Sequence, residues 1–188
     1  SETDRLTNLT SNLLELNSFN GDNVLLDIAT FNICETIIQT VNTLEGTAAK
    51  KEISFVLDFN TQKELLVEAD ESKIHQVLYN LIDNAVKFSH NNSEIKISLR
   101  KKGVKVFVSV KDSGIGIPKE SLSKIFDRFY KTDISRGKDK RGTGLGLSIS
   151  KEIIQAHNQT INVVSTVGVG TEFVFTLKYH SKKQEASS

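Results

Sequence analysis

The sequence predicts an α+β sandwich, a mostly antiparallel sheet with helices on one face. Two observations predict it. From about residue 24 onward, strand-like and helix-like apolar periods follow each other along the chain. The β-rich runs 95–99 and 104–110 are joined through Lys101-Lys102-Gly103, a hairpin signal. With 188 residues, 38% of them hydrophobic and 25% charged, the chain can hold one domain with a sizeable core plus an appendage. A formal net charge of +1 leaves no overall field to recruit nucleic acid or a membrane, so any charged function must be local. One cysteine, Cys34, excludes a disulfide framework and points to a reducing compartment. No apolar run approaches the roughly eighteen residues of a membrane span, and no signal peptide is visible. The chain has no methionine, so the expectation is a fragment of a longer protein or a processed one.

The elements follow in order. Leu6, Leu9, Leu13 and Leu16 form a heptad seam in residues 2–19, which Asn20-Gly21 terminates. One short helix is not stable alone, so this one needs a partner or packs back on its own domain. A strand is expected over 24–29. Asn32, with Glu35 three residues later, resembles a capping box and starts a helix reaching about Leu44. Strands are expected over 53–59 and 65–69, around a polar turn, and Asp70 then caps a long helix. After the 95–110 hairpin come a loop-rich stretch, a helix over about 145–156, and strands over 161–165 and 173–177. The tail 181–188 reads as disordered.

The helix after Asp70 carries Ile74, Val77, Leu78, Leu81, Ile82, Ala85 and Phe88 at helical spacing, a stripe that faces the sheet. Gln76, Asn80, Asn84 and Lys87 fall within about an 80° arc beside it. Asparagine is a poor helix former, yet two stand mid-helix. An amide oxygen suits magnesium and an ammonium suits phosphate, although a solvated flank is the plainer alternative.

Two glycine-rich stretches bear on that choice. In "VKDSGIGIP", residues 110–118, Asp112 ends an apolar strand, and Gly114 and Gly116 let backbone approach a flat ligand. A partly desolvated carboxylate can accept from an exocyclic amine such as that of adenine. An ordinary turn has the same pattern. In "RGTGLGLS", residues 141–148, Gly142, Gly144 and Gly146 open a helix, whose free N–H groups can face an anion. It is neither a Walker loop nor a Rossmann turn. Residues 131–141 before it hold five basic residues and two acids, which suits a triphosphate or simply a solvated loop.

In this order the stretches resemble the catalytic, ATP-binding (HATPase_c) domain of two-component sensor histidine kinases, within the GHKL superfamily. "NLIDNAVKFS" resembles the family's N box, "DSGIGI" its G1 box, "IFDRFYK" its F box, "GTGLGL" its G2 box and "GVGTEFVFTL" its closing strand. The resemblance covers about residues 20–180. It implies a Bergerat-type fold, a mixed sheet of about five strands under three helices, with a lid between the F and G2 boxes.

The same resemblance implies roles. Asn84 would bring its amide oxygen to Mg²⁺, and the catalytic pair Asn80 and Lys87 would reach the phosphates of ATP. Phe88 would lie against adenine, and Asp112 would hold its amino group, in a pocket shaped by Gly114, Gly116 and Ile117. Phe126 and Phe129 would anchor the lid, while Tyr130 and Lys131 would touch the nucleotide. Gly142, Thr143, Gly144, Leu145, Gly146 and Leu147 would supply backbone donors to the phosphates, and Thr171 would line the adenine side. Two departures stand out: Asn158-Gln159 where the family often has a glycine pair, and Arg141 where glycine is common.

Hydrolytic members of the superfamily carry a glutamate general base four residues before the metal-binding asparagine; here that position is Asn80, which has no useful basicity. The expected activity is therefore a protein-histidine kinase, with positioning and charge neutralisation carrying the catalysis. The acceptor would sit in an H-E-x-x-x-P-like stretch, and His75, His90, His157 and His180 all lack that context. The expected organisation is residues 1–20 as the end of a second dimerisation helix, 21–180 as the catalytic domain, and 181–188 as tail. Implied partners are the kinase's own dimerisation hairpin, in a homodimer, and a response-regulator receiver domain. No nucleic acid or direct membrane contact is expected, and the implied location is the cytoplasmic part of a membrane-anchored sensor. The alternative is an ATP-gated signalling module that moves no phosphate.

Overall fold

Asn32 ends one strand and starts a helix. In the computed structural model, which describes residues 25–130 and 146–182, its side-chain oxygen accepts from the N–H of Cys34 at 3.1 Å and of Leu65 at 3.0 Å. The first bond caps α1 (Ile33–Ala49), and the second ties that cap to the residue before β3 (Leu66–Ala69). β1 (Ala29–Asn32) and β2 (Ser54–Asp58) flank α1 in sequence. α2 (Glu71–Phe88), β4 (Glu94–Lys102), β5 (Lys105–Asp112) and a 3₁₀ turn at Lys119–Ser121 follow. α3 (Gly146–Ala156), β6 (Ile161–Thr166) and β7 (Gly170–Tyr179) complete the order.

The strands form one sheet in the order β1-β3-β7-β5-β4-β2, with β6 also paired to β7. β2 runs parallel to β4, and the other pairings are antiparallel. Among the described residues the expected α+β class, mixed sheet and three helices are therefore present. The sheet has seven strands, not about five, because short strands extend its edges. Its inward residues Ile95, Ile97, Leu99, Val106, Val108, Val110, Phe173, Phe175 and Leu177 are buried. They share one core with Ile37 and Val41 of α1, Ile74, Leu78, Leu81 and Ile82 of α2, and Ile149 and Ile153 of α3. Full burial of such a side chain contributes about 1.5–3 kcal/mol, so the helical stripes determine which faces turn inward.

Several boundaries differ from expectation. β4 runs on to Lys102 and β5 to Asp112, because β4 pairs with β5, and β5 with β7, along those lengths. The strand placed at 24–29 lies at Ala29–Asn32, because pairing with β3 begins at Ala29↔Ala69 and leaves Leu25 95% exposed. α1 continues past Leu44 because its buried stripe continues to Ala48. β7 starts at Gly170, three residues before its first large apolar side chain, because it pairs with β5 back to Asp112↔Thr171. The seam at 2–19 with its helix, the loop 131–145 and the tail from 183 lie outside the described residues.

Positive φ falls after two helices, at Glu52 (54°) and Asn158 (58°). Asparagine tolerates this left-handed conformation, so the turn stands without the family's glycine pair. His157 is a joint in the fold: its Nε2 accepts from the Asp70 N–H at 3.0 Å, and its Nδ1 lies 2.8 Å from the Ile153 carbonyl. The Asp70 carboxylate caps α2 through the Lys73 N–H and also accepts from Asp27 N–H. Among the described residues no helix is long and apolar enough to cross a membrane.

Candidate nucleotide site

The site lies where the open ends of β5 and β7 meet α2. Asp112 closes β5 with 8% exposure, and antiparallel pairing sets Thr171, 7% exposed, directly opposite. The Asp112 Oδ1 accepts from the N–H of Gly114 at 2.9 Å and of Thr171 at 3.3 Å. Burial pushes this carboxyl above its ordinary value of 3.8, and the two amides and the charge of His90 offset only part of the shift. Oδ2 takes no bond from a described residue, which leaves one oxygen of this largely buried carboxylate to accept from an amine.

Glycine is required where the loop after Asp112 meets its neighbours. A Cβ on Gly114 would stand 2.1 Å from the Phe88 carbonyl oxygen, and one on Gly116 (φ 74°) would stand 2.2 Å from that of Thr166. Ile115 donates its N–H to the Phe88 oxygen at 3.1 Å, which fastens the loop to the end of α2. Ile117 donates to the Ser165 hydroxyl at 2.8 Å, and that hydroxyl is 2.7 Å from the Thr171 hydroxyl. Ser165 is thus a site residue that sequence reasoning passed over. So is Gly170, where a Cβ would meet the backbone carbonyl oxygen of Asp112 at 2.1 Å. The available signal was register: a polar residue at the end of β6 faces Thr171 across one strand pair.

α2 carries the other half. Asn80 donates its side-chain N–H to the Gly146 carbonyl at 3.2 Å, at the start of α3, so its oxygen remains to accept or to approach an anion's counter-ion. Asn84 is half-buried one turn further on. Lys87 pairs with Asp83 at 3.1 Å. An (i, i+4) pair of this kind is worth about 0.3–0.5 kcal/mol, weak enough for a phosphate to replace it. Phe88 and Ile117 are half-buried beside the loop.

The F-box stretch divides. Phe126 packs edge-on against Phe173, centroids 6.1 Å apart, and Lys151 lies over its ring. Phe129, expected to anchor as well, is 51% exposed with φ 63°. Tyr130, expected at the nucleotide, packs on the core and donates to the Ser121 hydroxyl at 3.1 Å. Gly146 and Leu147 begin α3 beside Asn80. Lys131, Gly142, Thr143, Gly144 and Leu145 lie outside the described residues.

Residues 69–181 match the family model described as histidine kinase-, DNA gyrase B-, and HSP90-like ATPase. The chain belongs to that family. Within it, the similarity is to histidine kinases. The sensor histidine kinase WalK of Bacillus subtilis is 36% identical over 98% of this chain. The chain covers 30% of that relative's length. The solved catalytic domain of histidine kinase ThkA superposes with a TM-score of 0.72 at 36% identity, covering 81% of this chain and 96% of that one. ThkA in complex with its response regulator TrrA gives 0.76 at 32% identity, covering 95% and 49% respectively. The chain is thus an ATP-binding catalytic domain of the histidine-kinase kind.

Proposed function

We propose that this domain binds ATP with Mg²⁺ and supplies the γ-phosphate to a histidine on a dimerisation hairpin outside the described residues, for relay to a response-regulator aspartate. One observation carries the reading. α2 touches the start of α3 through Asn80 and the glycine loop through Phe88, so a single helix joins an anion-facing edge to the buried Asp112 acceptor. Asp112 would hold the adenine amine, with Gly114, Gly116, Ile117 and Thr171 around it. Asn80, Lys87 and the backbone at Gly142–Leu147 would face the phosphates. Among the described residues no group of three or more His, Cys, Asp or Glu could hold a metal. Mg²⁺ would arrive with the phosphates, and Asn84 would give it one neutral oxygen. An amide at position 80 cannot abstract a proton, which favours transfer over hydrolysis. The similarity to ThkA, solved with its response regulator, supports the partner class, and similarity to sensor kinases supports a place in the cytoplasmic part of a larger sensor.

The test is to mix the domain with a separately produced histidine-bearing hairpin and radiolabelled ATP. The expected product is acid-labile phosphohistidine on the hairpin, with little free phosphate. ATP binding without transfer would leave a nucleotide-gated signalling module. Hydrolysis on the order of 1 s⁻¹ by the domain alone would replace the kinase with an ATPase.

A further inference from the structure

The last turn of α2 is held from outside by a side chain from the turn between α1 and β2. Lys51, half-buried, places its Nζ 2.8 Å from the Val86 oxygen and 3.1 Å from the Lys87 oxygen. Its own carbonyl accepts from the Asn92 N–H at 2.9 Å, so the residue grips both sides of the turn that leaves the helix. A helix end leaves four carbonyls without internal donors, where a cation is also favoured by the dipole. Here all are satisfied by different parts of the chain. Ala85 is answered by the N–H and hydroxyl of Ser89, Val86 and Lys87 by Lys51, and Phe88 by Ile115 of the glycine loop.

We infer that Lys51 is a positioning residue for nucleotide binding: it fixes the last turn of α2, and through the Phe88 carbonyl the height of the glycine loop over the adenine side. The inference rests on the nucleotide reading above. Lys51 does not itself reach the Asp112 pocket; it acts through residues 86–88. The close fit of Gly114 on the Phe88 oxygen makes that height sensitive, since backbone there is already in contact. Removing the Lys51 ammonium takes a charged donor from two carbonyls of this turn.

The experiment measures ADP affinity by calorimetry well below the melting temperature, in the wild-type chain, Lys51→Met and Lys51→Arg. Amide exchange of Ile115 is followed in parallel by NMR. Lys51→Met is expected to weaken ADP about tenfold and to speed Ile115 exchange, while amides in the β5–β7 ladder keep their protection. Lys51→Arg, which retains two or more N–H donors, is expected to recover most of the affinity. Unchanged ADP affinity in Lys51→Met, with only a lower melting temperature, would reduce Lys51 to a structural cap and overturn the inference. Should Lys51→Met not fold, Lys51→Gln takes its place: weakened ADP binding with faster Ile115 exchange supports the positioning role, and wild-type ADP affinity overturns it. Absence of ADP binding by the wild-type chain would instead remove the nucleotide reading itself.

Discussion

Asn80 donates to the carbonyl of Gly146 at 3.2 Å, and the Ser150 hydroxyl donates to the same oxygen at 2.9 Å. The bond occupies the amide's donor and leaves its oxygen open. Asn80→Asp keeps the shape, removes the donor, and sets a negative charge against a carbonyl and an incoming phosphate. ADP affinity is expected to fall at least tenfold, with stability lowered by about 1–3 kcal/mol. Calorimetry and chemical denaturation would check both. Wild-type affinity in the aspartate variant would show that Asn80 has no part in anion binding.

Asp112 offers a prediction in pH and in base selectivity. Its folded carboxyl titrates above the ordinary 3.8, so the folded state binds more protons than the unfolded one between the two values. Stability therefore falls as pH rises from 3.8 through the raised value. Asp112→Asn keeps an Oδ1 for the Gly114 and Thr171 amides and removes the buried charge. The variant is expected to melt higher than wild type at neutral pH, with the difference closing toward acid. Its binding should change the other way. A carboxylate facing guanine's carbonyl costs at least about 2 kcal/mol, some thirtyfold in favour of ADP over GDP. The asparagine NH₂ should erase or reverse that ratio. Equal ADP and GDP affinities in the wild type would refute the acceptor role.

Glu52 stands at φ 54° after α1, with Ile53 donating to Ala48 at 3.0 Å in a helix-ending turn. A left-handed side-chain residue carries about 1–2 kcal/mol of strain that glycine avoids. Glu52→Gly is expected to stabilise the domain by about 1 kcal/mol in thermal melts, with nucleotide affinity unchanged. A lower melting temperature would mean that the Glu52 side chain contributes more than its backbone costs.

Much of this was legible in the chain because it was written in side-chain period. Seven apolar residues at helical spacing place α2, and its polar edge with Asn80 and Asn84 follows from the same geometry. What escaped depends on partners distant in sequence. A four-residue edge strand such as β1 has little burial of its own, and its position is set by β3. Ser165 enters the site only because β6 and β5 both pair with β7. Lys51 looks like one more lysine in a basic turn until the end of α2 is set beside it. Phe126 and Phe129 are alike in sequence, and only the neighbouring Phe173 distinguishes the anchor from the exposed ring.

β7 sits in the middle of the sheet, between β3 and β5, although it is the last strand among the described residues. A nascent chain leaving the ribosome would thus present two unjoined half-sheets, β1 with β3 and β2 with β4 and β5, until residues 170–179 arrive. Thr171, which completes the cradle of Asp112, comes with that strand. A truncation before Gly170 would therefore lose the seam of the fold and the pocket together. Joining partners so far apart in sequence makes folding slow and late rather than progressive, and ligand capture must wait for the same closing strand.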